Sequence, residues 1–379
     1  MLEVIQVEKL LKRYGKFVAV KGINFAVQRG EIFGLIGPDG AGKTTTFHIL
    51  AGVMEASGGN VQILGKRPRD ARPFIGYLTQ KFSLYLDLSV DENLRYTAGL
   101  RQIPEQLFLQ RRAKYLPLLD LERFGDRLAG QLSGGMKQKL ALCCALISQP
   151  EILLLDEPTT GVDPISRREF WDVLAAIASE GVTIIVATPY LDEAERCNCI
   201  ALMHEGQIQE IGTLSQLRDS LDLQRLEVRA PHIEVAEAIL TRFCGEGGEG
   251  GEMGRGGDGE TRGQREKQGT IVDVQTFGDR LDVLVRDASE GKAAVQAIFQ
   301  KHQLPLNSLQ VAPPTLENVF VTRLKAAGDD PPFIPFPRQK AEHPQCKVDV
   351  AIGARSLSKV FGNFQAVKDV DLEVRYGEI

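Results

Sequence analysis

The stretch Ile32-Phe33-Gly34-Leu35-Ile36-Gly37-Pro38-Asp39-Gly40-Ala41-Gly42-Lys43-Thr44-Thr45 sets the architecture of the chain. Its first five residues are a continuous apolar run, the pattern of a strand covered on both faces. The next eight read G-x-x-x-x-G-K-[ST], and Thr44–Leu50 continues with helical spacing. Between a strand and a helix, glycines at these positions let successive backbone N–H groups curl around phosphate, and the helix start adds a favourable dipole. In that frame Lys43 reaches the β- and γ-phosphates of a nucleotide, and the Thr44 hydroxyl meets Mg2+. The candidate ATP contacts are therefore Gly37, Pro38, Asp39, Gly40, Ala41, Gly42, Lys43, Thr44 and Thr45.

About 110 residues further on, Ile152-Leu153-Leu154-Leu155-Asp156-Glu157 is an apolar strand ending in two carboxylates. Adjacent acids after a strand are common surface features, but a phosphate loop upstream gives these two a task. Asp156 is placed to hold the Mg2+ shell, and Glu157 to activate the attacking water as a general base. Thr183–Ala187 is another short apolar run, and Arg167–Ala178 has helical spacing. Strand and helix patterns alternate over residues 1 to about 220, which predicts an α/β domain built on parallel strands.

Leu132-Ser133-Gly134-Gly135-Met136-Lys137-Gln138 adds a second phosphate site, because Ser133 and the N–H groups of Gly134 and Gly135 stand at a predicted helix start. This stretch resembles the signature of the ATP-binding-cassette (ABC) family of P-loop ATPases, and few P-loop proteins outside it carry L-S-G-G. The resemblance implies a cassette with a helical subdomain, in which the signature serves the ATP of a facing cassette, so that two domains sandwich two nucleotides head to tail. Further residues fall in the family's order. Tyr14 matches the aromatic that stacks on adenine. Gln80 matches the glutamine that touches Mg2+ and water and reports to the membrane subunit. Gly161-Val162-Asp163-Pro164 resembles the loop coupling the two sites, with Asp163 counted among the nucleotide-binding residues. The resemblance covers residues 1–220 almost completely.

Two positions depart from the family pattern. Asp39 stands where asparagine is usual, with little expected consequence. Pro189, in Ala187-Thr188-Pro189-Tyr190, stands where the family's switch histidine contacts the γ-phosphate. Proline offers neither a side-chain donor nor an N–H, and losing one transition-state donor lowers rates by about 10²–10³. The expectation is a site that binds ATP and turns over slowly, with most hydrolysis in a second domain.

Residues 222–325 predict a small α+β domain. Arg225–Arg229, Glu234–Phe243, Ile271–Thr276, Arg280–Arg286, Ala293–His302 and Ser308–Val311 read as β-α-β-β-α-β, a ferredoxin-like order. The Gly-, Glu- and Arg-rich segment 245–269 is expected to be a disordered insert, and residues 326–347, with five prolines, a stiff extended linker. From residue 348 the sequence repeats its own beginning. Glu3–Ile32 aligns without gaps onto Val350–Ile379 with twelve of thirty positions identical, among them Lys12, Phe17, Ala19, Val20 and Lys21 against Lys359, Phe364, Ala366, Val367 and Lys368. Phe361 takes the place of Tyr14. Residues 348–379 are thus expected to open a second cassette that stops short of its phosphate loop, with residues 1–221 forming the first.

Composition bounds the rest. The 43% hydrophobic content supplies a core for most of the 379 residues, and the net charge of −5 argues against a nucleic-acid partner. The N-terminal segment lacks the marks of a signal peptide. No apolar run reaches the roughly 18–20 residues of a membrane span, so a soluble chain is expected. Six scattered cysteines fit a reducing cytoplasm. Cys143 and Cys144 read as packing residues, and the Cys197-x-Cys199 pair has no companion ligands for a metal. The ending Pro314-Thr315-Leu316-Glu317-Asn318-Val319-Phe320 resembles the tail of the small domain in the ABC-2 exporter class. That resemblance implies an efflux ATPase, peripheral on the inner face of the plasma membrane. Its ABC-2-type transmembrane subunits would contact residues Phe82–Leu94, and its second nucleotide-binding domain would come from its own repeat or a homodimer. A tandem ABC protein acting on ribosomes or DNA usually joins its cassettes by a long charged helical arm, which is not the pattern here. A regulatory ATP sensor is a third reading, which Pro189 suits.

Overall fold

The computed structural model describes residues 2–80, 83–244, 270–326, 350–361 and 364–375. The segments expected as a disordered insert (245–269) and as a linker (326–347, beyond its first residue) lie outside the described residues. The chain divides into two compact bodies, Met1–Asp329 and Asp330–Ile379.

The first body opens with strands β1 (Glu3–Tyr14), β2 (Phe17–Gln28) and β3 (Ile32–Ile36), then α1 (Lys43–Leu50), β4 (Gly58–Ile63), α2 (Pro68–Ala71) and β5 (Ile75–Leu78). A helical stretch follows: α3 (Val90–Leu100), α4 (Glu105–Leu118) and α5 (Gly134–Leu146). The chain returns through β6 (Ile152–Asp156), α6 (Pro164–Ser179), β7 (Thr183–Thr188), α7 (Leu191–Ala194), β8 (Cys199–His204), β9 (Gln207–Gly212) and α8 (Leu214–Asp219). Six strands form one sheet in the order β5-β6-β7-β3-β8-β9, parallel except for β9. The apolar runs of β3, β6 and β7 are buried residue by residue. Successive side chains point to opposite faces, so each strand feeds two cores. Leu153, Leu155, Ile184 and Val186 pack with the helical side through Leu142, Leu146 and Trp171. Leu154, Ile185, Phe33 and Leu35 pack with Phe47 and Leu50 of α1 and with Val7 and Val27 of the antiparallel β2-β1-β4 sheet. This is the expected α/β cassette. Cys197 packs against Gly34 at the foot of β3.

The helix starts carry their own signals. Ser89 and Glu92 close a capping box on α3, and Asp163 with Pro164 starts α6 three residues before the predicted helix.

After α8 come β10 (Gln224–Arg229), α9 (Ile233–Thr241), β11 (Ile271–Phe277), β12 (Arg280–Val285), α10 (Ala288–Lys301), β13 (Ser308–Ala312) and α11 (Leu316–Ala326). The antiparallel order β11-β12-β10-β13 is the ferredoxin-like arrangement. Phe277 belongs to the hairpin strand rather than its turn, since it pairs with Arg280. Helix α10 begins five residues before the predicted start because Asp287 caps it, accepting from the N–H groups of Ser289 and Glu290.

Helix α11 is an element of this small domain that periodicity left unread, and it has two faces. Leu316 and Val319 join the core beneath the parallel sheet. Arg323 bonds Glu210 at 2.8 Å and the Ser220 carbonyl at 3.0 Å. The other face lies on the far side of the small sheet, where Asn318, fully buried, donates to Gln275 Oε1 (2.9 Å) and Asp282 Oδ2 (3.1 Å). Arg225 donates to the same Asp282 oxygen at 2.9 Å. The network lets Asp282 remain on a strand with no exposed surface.

The second body is a hairpin of β14 (Val350–Phe361) and β15 (Phe364–Arg375) that copies β1–β2 position for position. Val350 pairs with Arg375 as Glu3 does with Gln28, and Leu357 with Val370 as Leu10 does with Ile23. The irregularities recur too: Lys9 and Ser356 both have φ 48°, and their N–H groups donate to Asn24 and Asp371. Ile5, Leu10, Ile23 and Phe25 are buried in the first body, whereas the matching Ile352, Leu357, Val370 and Leu372 are exposed in the second.

Removing Asn318 takes the donor from the buried Gln275 Oε1, leaves Asp282 Oδ2 with Arg225 alone and frees the Thr315 N–H. Asn318→Ala is therefore expected to destabilise the first body by about 2 kcal/mol, read from urea unfolding midpoints. An unchanged midpoint would mean the network contributes nothing net.

Candidate active site

The phosphate loop joins the C-terminal end of β3 to α1, at the strand ends where parallel α/β sheets open a crevice. Glycine is required by close approach. A Cβ on Gly37 would collide with the Met203 carbonyl oxygen, and one on Gly42, at φ 103°, would lie 2.6 Å from the Ala19 carbonyl. Gly206 donates to the Ala41 carbonyl at 2.9 Å and Ala41 donates to that of Pro38 at 3.2 Å, so the loop is clamped from both sides. Gly42 is the N-cap of α1 and no side chain caps the helix, which leaves the first-turn N–H groups, Thr45 included, to a ligand.

Lys43 is 3% exposed. Its ammonium donates to the carbonyls of Gly37 (2.8 Å) and Pro38 (3.0 Å) and stands 3.9 Å from Glu157 Oε1. The exposed Asp39 carboxylate reaches within 4.0 Å of it. Burial lowers the Lys43 pKa, against the opposing pull of Glu157, Asp39 and Asp156. Gly40, at the tip, meets open space.

Asp156 ends β6 and Glu157 follows it. Asp156 accepts from the Thr44 hydroxyl at 3.3 Å through Oδ1, while its buried Oδ2 has no partner among the described residues. Burial raises the Asp156 pKa, and the Thr44 hydrogen bond opposes that rise. A buried carboxylate oxygen without a donor, next to a hydroxyl, is a donor set for a hard cation, so Thr44 and Asp156 fit Mg2+. Gln80 donates through Nε2 to Glu157 Oε2 at 2.9 Å, leaving its carbonyl oxygen as the atom able to meet a cation. Glu157 has φ 49°, a left-handed conformation that non-glycine residues adopt at a strain, held by its N–H on the Ala187 carbonyl at 2.8 Å.

The structure thus brings Lys43, Thr44, Gln80, Asp156 and Glu157 together. Ser133, Gly134 and Gly135 form another group at the start of α5. The Ser133 hydroxyl accepts from the Met136 N–H at 3.3 Å, and a Cβ on Gly135 would come within 2.8 Å of Ser166. Asp163 belongs with this group. Its carboxylate accepts from Ser166 (2.9 Å) and Ile165 (3.1 Å) N–H groups, and those bonds, that of Ser166 first, lower its pKa. The loop between the groups is tied in by Thr160, which donates to Glu157 Oε2 at 3.3 Å.

Tyr14 is an exposed ring at the hairpin turn, its hydroxyl on Met54 Sδ at 3.0 Å and the Lys12 ammonium 5.3 Å from the ring centroid. Pro189 directly follows β7, and the next N–H, of Tyr190, is already held by the Thr188 hydroxyl at 3.1 Å. Three participants escaped the sequence reading: Thr160, the Gly206 clamp and Tyr77. The Tyr77 hydroxyl is buried without a partner among the described residues. Burial and then the Asp156 charge push its pKa above the ordinary range. Only its place three residues before Gln80 could have drawn attention to it.

The family profile described as ABC transporter matches residues 20–160. The probable multidrug ABC transporter ATP-binding protein YbhF of Escherichia coli (strain K12) is 34% identical over 366 residues, covering 95% of this chain and 58% of that protein. The chain therefore spans under two thirds of that relative's length. The linearmycin resistance ATP-binding protein LnrL of Bacillus subtilis (strain 168) is 30% identical over 326 residues, covering 84% of this chain and 97% of that protein. Among solved structures, the dimeric post-hydrolysis state of the ATP-binding cassette MJ0796 bound to ADP and Pi superposes with a TM-score of 0.51 at 25% identity, covering 55% of this chain and 98% of that one.

The raised pKa of Asp156 sets the sign of a stability test. Below the unfolded-state value the group is protonated in both states and costs nothing. Above the folded-state value it is buried as an anion, and stability falls. Asp156→Asn is expected to stabilise the nucleotide-free protein by about 1 kcal/mol near pH 8, with the gain vanishing near pH 4. Thermal midpoints across that range check it, and a gain that does not depend on pH would exclude the charge as its cause.

Proposed function

This chain belongs to the ABC transporter family, and on that footing we propose that it is an ATP-hydrolysing subunit powering export through separate membrane subunits. The observation that carries the reading is the convergence of Lys43, Thr44, Gln80, Asp156 and Glu157 at one loop. Magnesium, when bound, supplies charge neutralisation for the β- and γ-phosphates. Thr44, Asp156 and Gln80 would hold it, the loop Gly37–Thr45 would cradle the phosphates, and Tyr14 would stack on the adenine. Lys43 is positioned to exchange its carbonyl partners for phosphate oxygens. Glu157 would take a proton from the attacking water while Gln80 and Thr160 fix its orientation.

Ser133, Gly134, Gly135 and the loop at Asp163 would complete the site of a facing cassette. The similarity to a dimeric cassette supports that arrangement. The facing partner would be a second chain or a second cassette opened by residues 348–379, whose hairpin reproduces the register of the first. In this reading residues 1–221 are the ATPase domain, 222–325 an accessory domain and 326–347 a connector.

The membrane subunits, of ABC-2 type on the resemblance noted above, would dock in a groove of about 350 Å3 beside the residues after Gln80. It is lined by Leu84, Tyr85, Tyr96, Leu100, Arg101 and Cys144. Tyr85 and Leu100 are exposed there, and apolar surface of that kind is common at sites that receive a partner. Among the described residues no helix is long and apolar enough to cross a membrane, which suits a peripheral subunit at the inner face.

Lys43→Ala is expected to abolish ATP binding, and Pro189→His to raise single-site turnover by about 10²-fold, both measured on the purified chain. Unchanged ATP affinity in Lys43→Ala would refute the site. Fast turnover with proline in place would refute the role given to Pro189. Co-purification of ribosomes or DNA instead of membrane subunits would replace export by the rival reading.

A further inference from the structure

Tyr77 sits on β5 beside Leu154 of β6, in parallel register. Asp156 lies two residues beyond Leu154, so Tyr77, Leu154 and Asp156 share one face of the sheet. That face is covered by α1, whose Phe47 and Leu50 pack with Leu154 and Tyr77. One turn of α1 separates Thr44 from His48. Thr44 bonds Asp156, while the His48 ring stands edge-on to Tyr77, with centroids 6.2 Å apart and planes at 84°. Thr44, Asp156, His48 and Tyr77 are thus linked across the contact between α1 and the sheet, in an otherwise apolar layer.

Two buried atoms there have no partner among the described residues, and they are complementary: the Tyr77 hydroxyl, a donor, and Asp156 Oδ2, an acceptor. If Tyr77 served only to fill the layer, phenylalanine would do so without burying an unsatisfied hydroxyl. The ring has a packing role. The hydroxyl needs another reason, and it is near enough to feel the charge of Asp156, the carboxylate bonded to Thr44.

We propose that Tyr77 is a positioning residue for the divalent cation, its hydroxyl held with Asp156 Oδ2 by a water of the cation's hydration shell. This rests on the reading that a Mg2+-nucleotide binds at Thr44 and Asp156. Groups one step removed from the ligands orient them and tune affinity, and their loss weakens metal binding by about 10–100-fold. Tyr77→Phe removes the donor and keeps the ring, so packing on β6 and α1 is preserved.

The test is a Mn2+ titration of the full chain loaded with a non-hydrolysable ATP analogue, followed by electron paramagnetic resonance. Nucleotide affinity in EDTA and the thermal midpoint are measured alongside it. The expected result for Tyr77→Phe is a Mn2+ dissociation constant raised about tenfold, with metal-free nucleotide affinity unchanged and a midpoint at or above that of the wild type. Equal Mn2+ affinity in wild type and variant overturns the inference alone. So does an equal loss of nucleotide affinity with and without metal, which would make Tyr77 a packing residue only. A wild-type chain that binds no Mn2+ with nucleotide overturns the active-site reading along with it.

Discussion

An ammonium and two carboxylates are buried side by side where β3 and β6 end, and that arrangement governs the rest of the site. Lys43 is 3% exposed, Asp156 1% and Glu157 9%. Three charges taken out of water are tolerable only with fixed partners. The carbonyls of Gly37 and Pro38 hold the ammonium, Thr44 holds one oxygen of Asp156, and Gln80 and Thr160 hold Glu157. The balance remains negative by one charge and by one unpartnered oxygen. A divalent cation beside Asp156 answers that excess of negative charge and gives the unpartnered oxygen a partner, while Lys43 and the first-turn N–H groups of α1 are left for the phosphates it carries.

The loop itself depends on residues far away in the sequence. Gly37 and Gly42 have no side chain because the β8 end and the Ala19 carbonyl press against them. The same stretch meets the accessory layer, since His204, at the end of β8, stands edge-on to Phe320 of α11 at 6.5 Å. Two residues on, Gly206 holds Ala41. Helix α11 is thus packed between the small sheet and the strand end that clamps the phosphate loop. Its sequence, with Asn318 and Thr322 toward one side and Leu316 and Val319 toward the other, fits both neighbours.

The hairpin Val350–Arg375 shows which part of such a fold is locally encoded. Its register, its bulge at Ser356 and its Asp371 contact repeat those of the first hairpin, although fewer than half of the aligned residues are identical. Strand pairing and the bulge arise from neighbouring residues. Burial does not: the apolar positions covered by β4 and α1 in the first body are exposed in the second.

Periodicity and motif spacing were enough to read the parallel strands, the phosphate loop, the acid pair and the βαββαβ order, because each element of these is a short contiguous run with its own pattern. The resemblance carried by Leu132–Gln138 supplied the family. What contiguous residues could not disclose was set by approach between distant segments. Asp163 caps a helix as well as marking the coupling loop, Asp282 survives burial because Asn318 arrives from 36 residues away, and Tyr77 acquires its polar surroundings only when β5 docks beside β6. Local patterns record the dihedral and hydrophobic preferences of each segment. Desolvation and hydrogen-bond pairing depend on which segments meet, and that is settled when the sheets and helices close on one another.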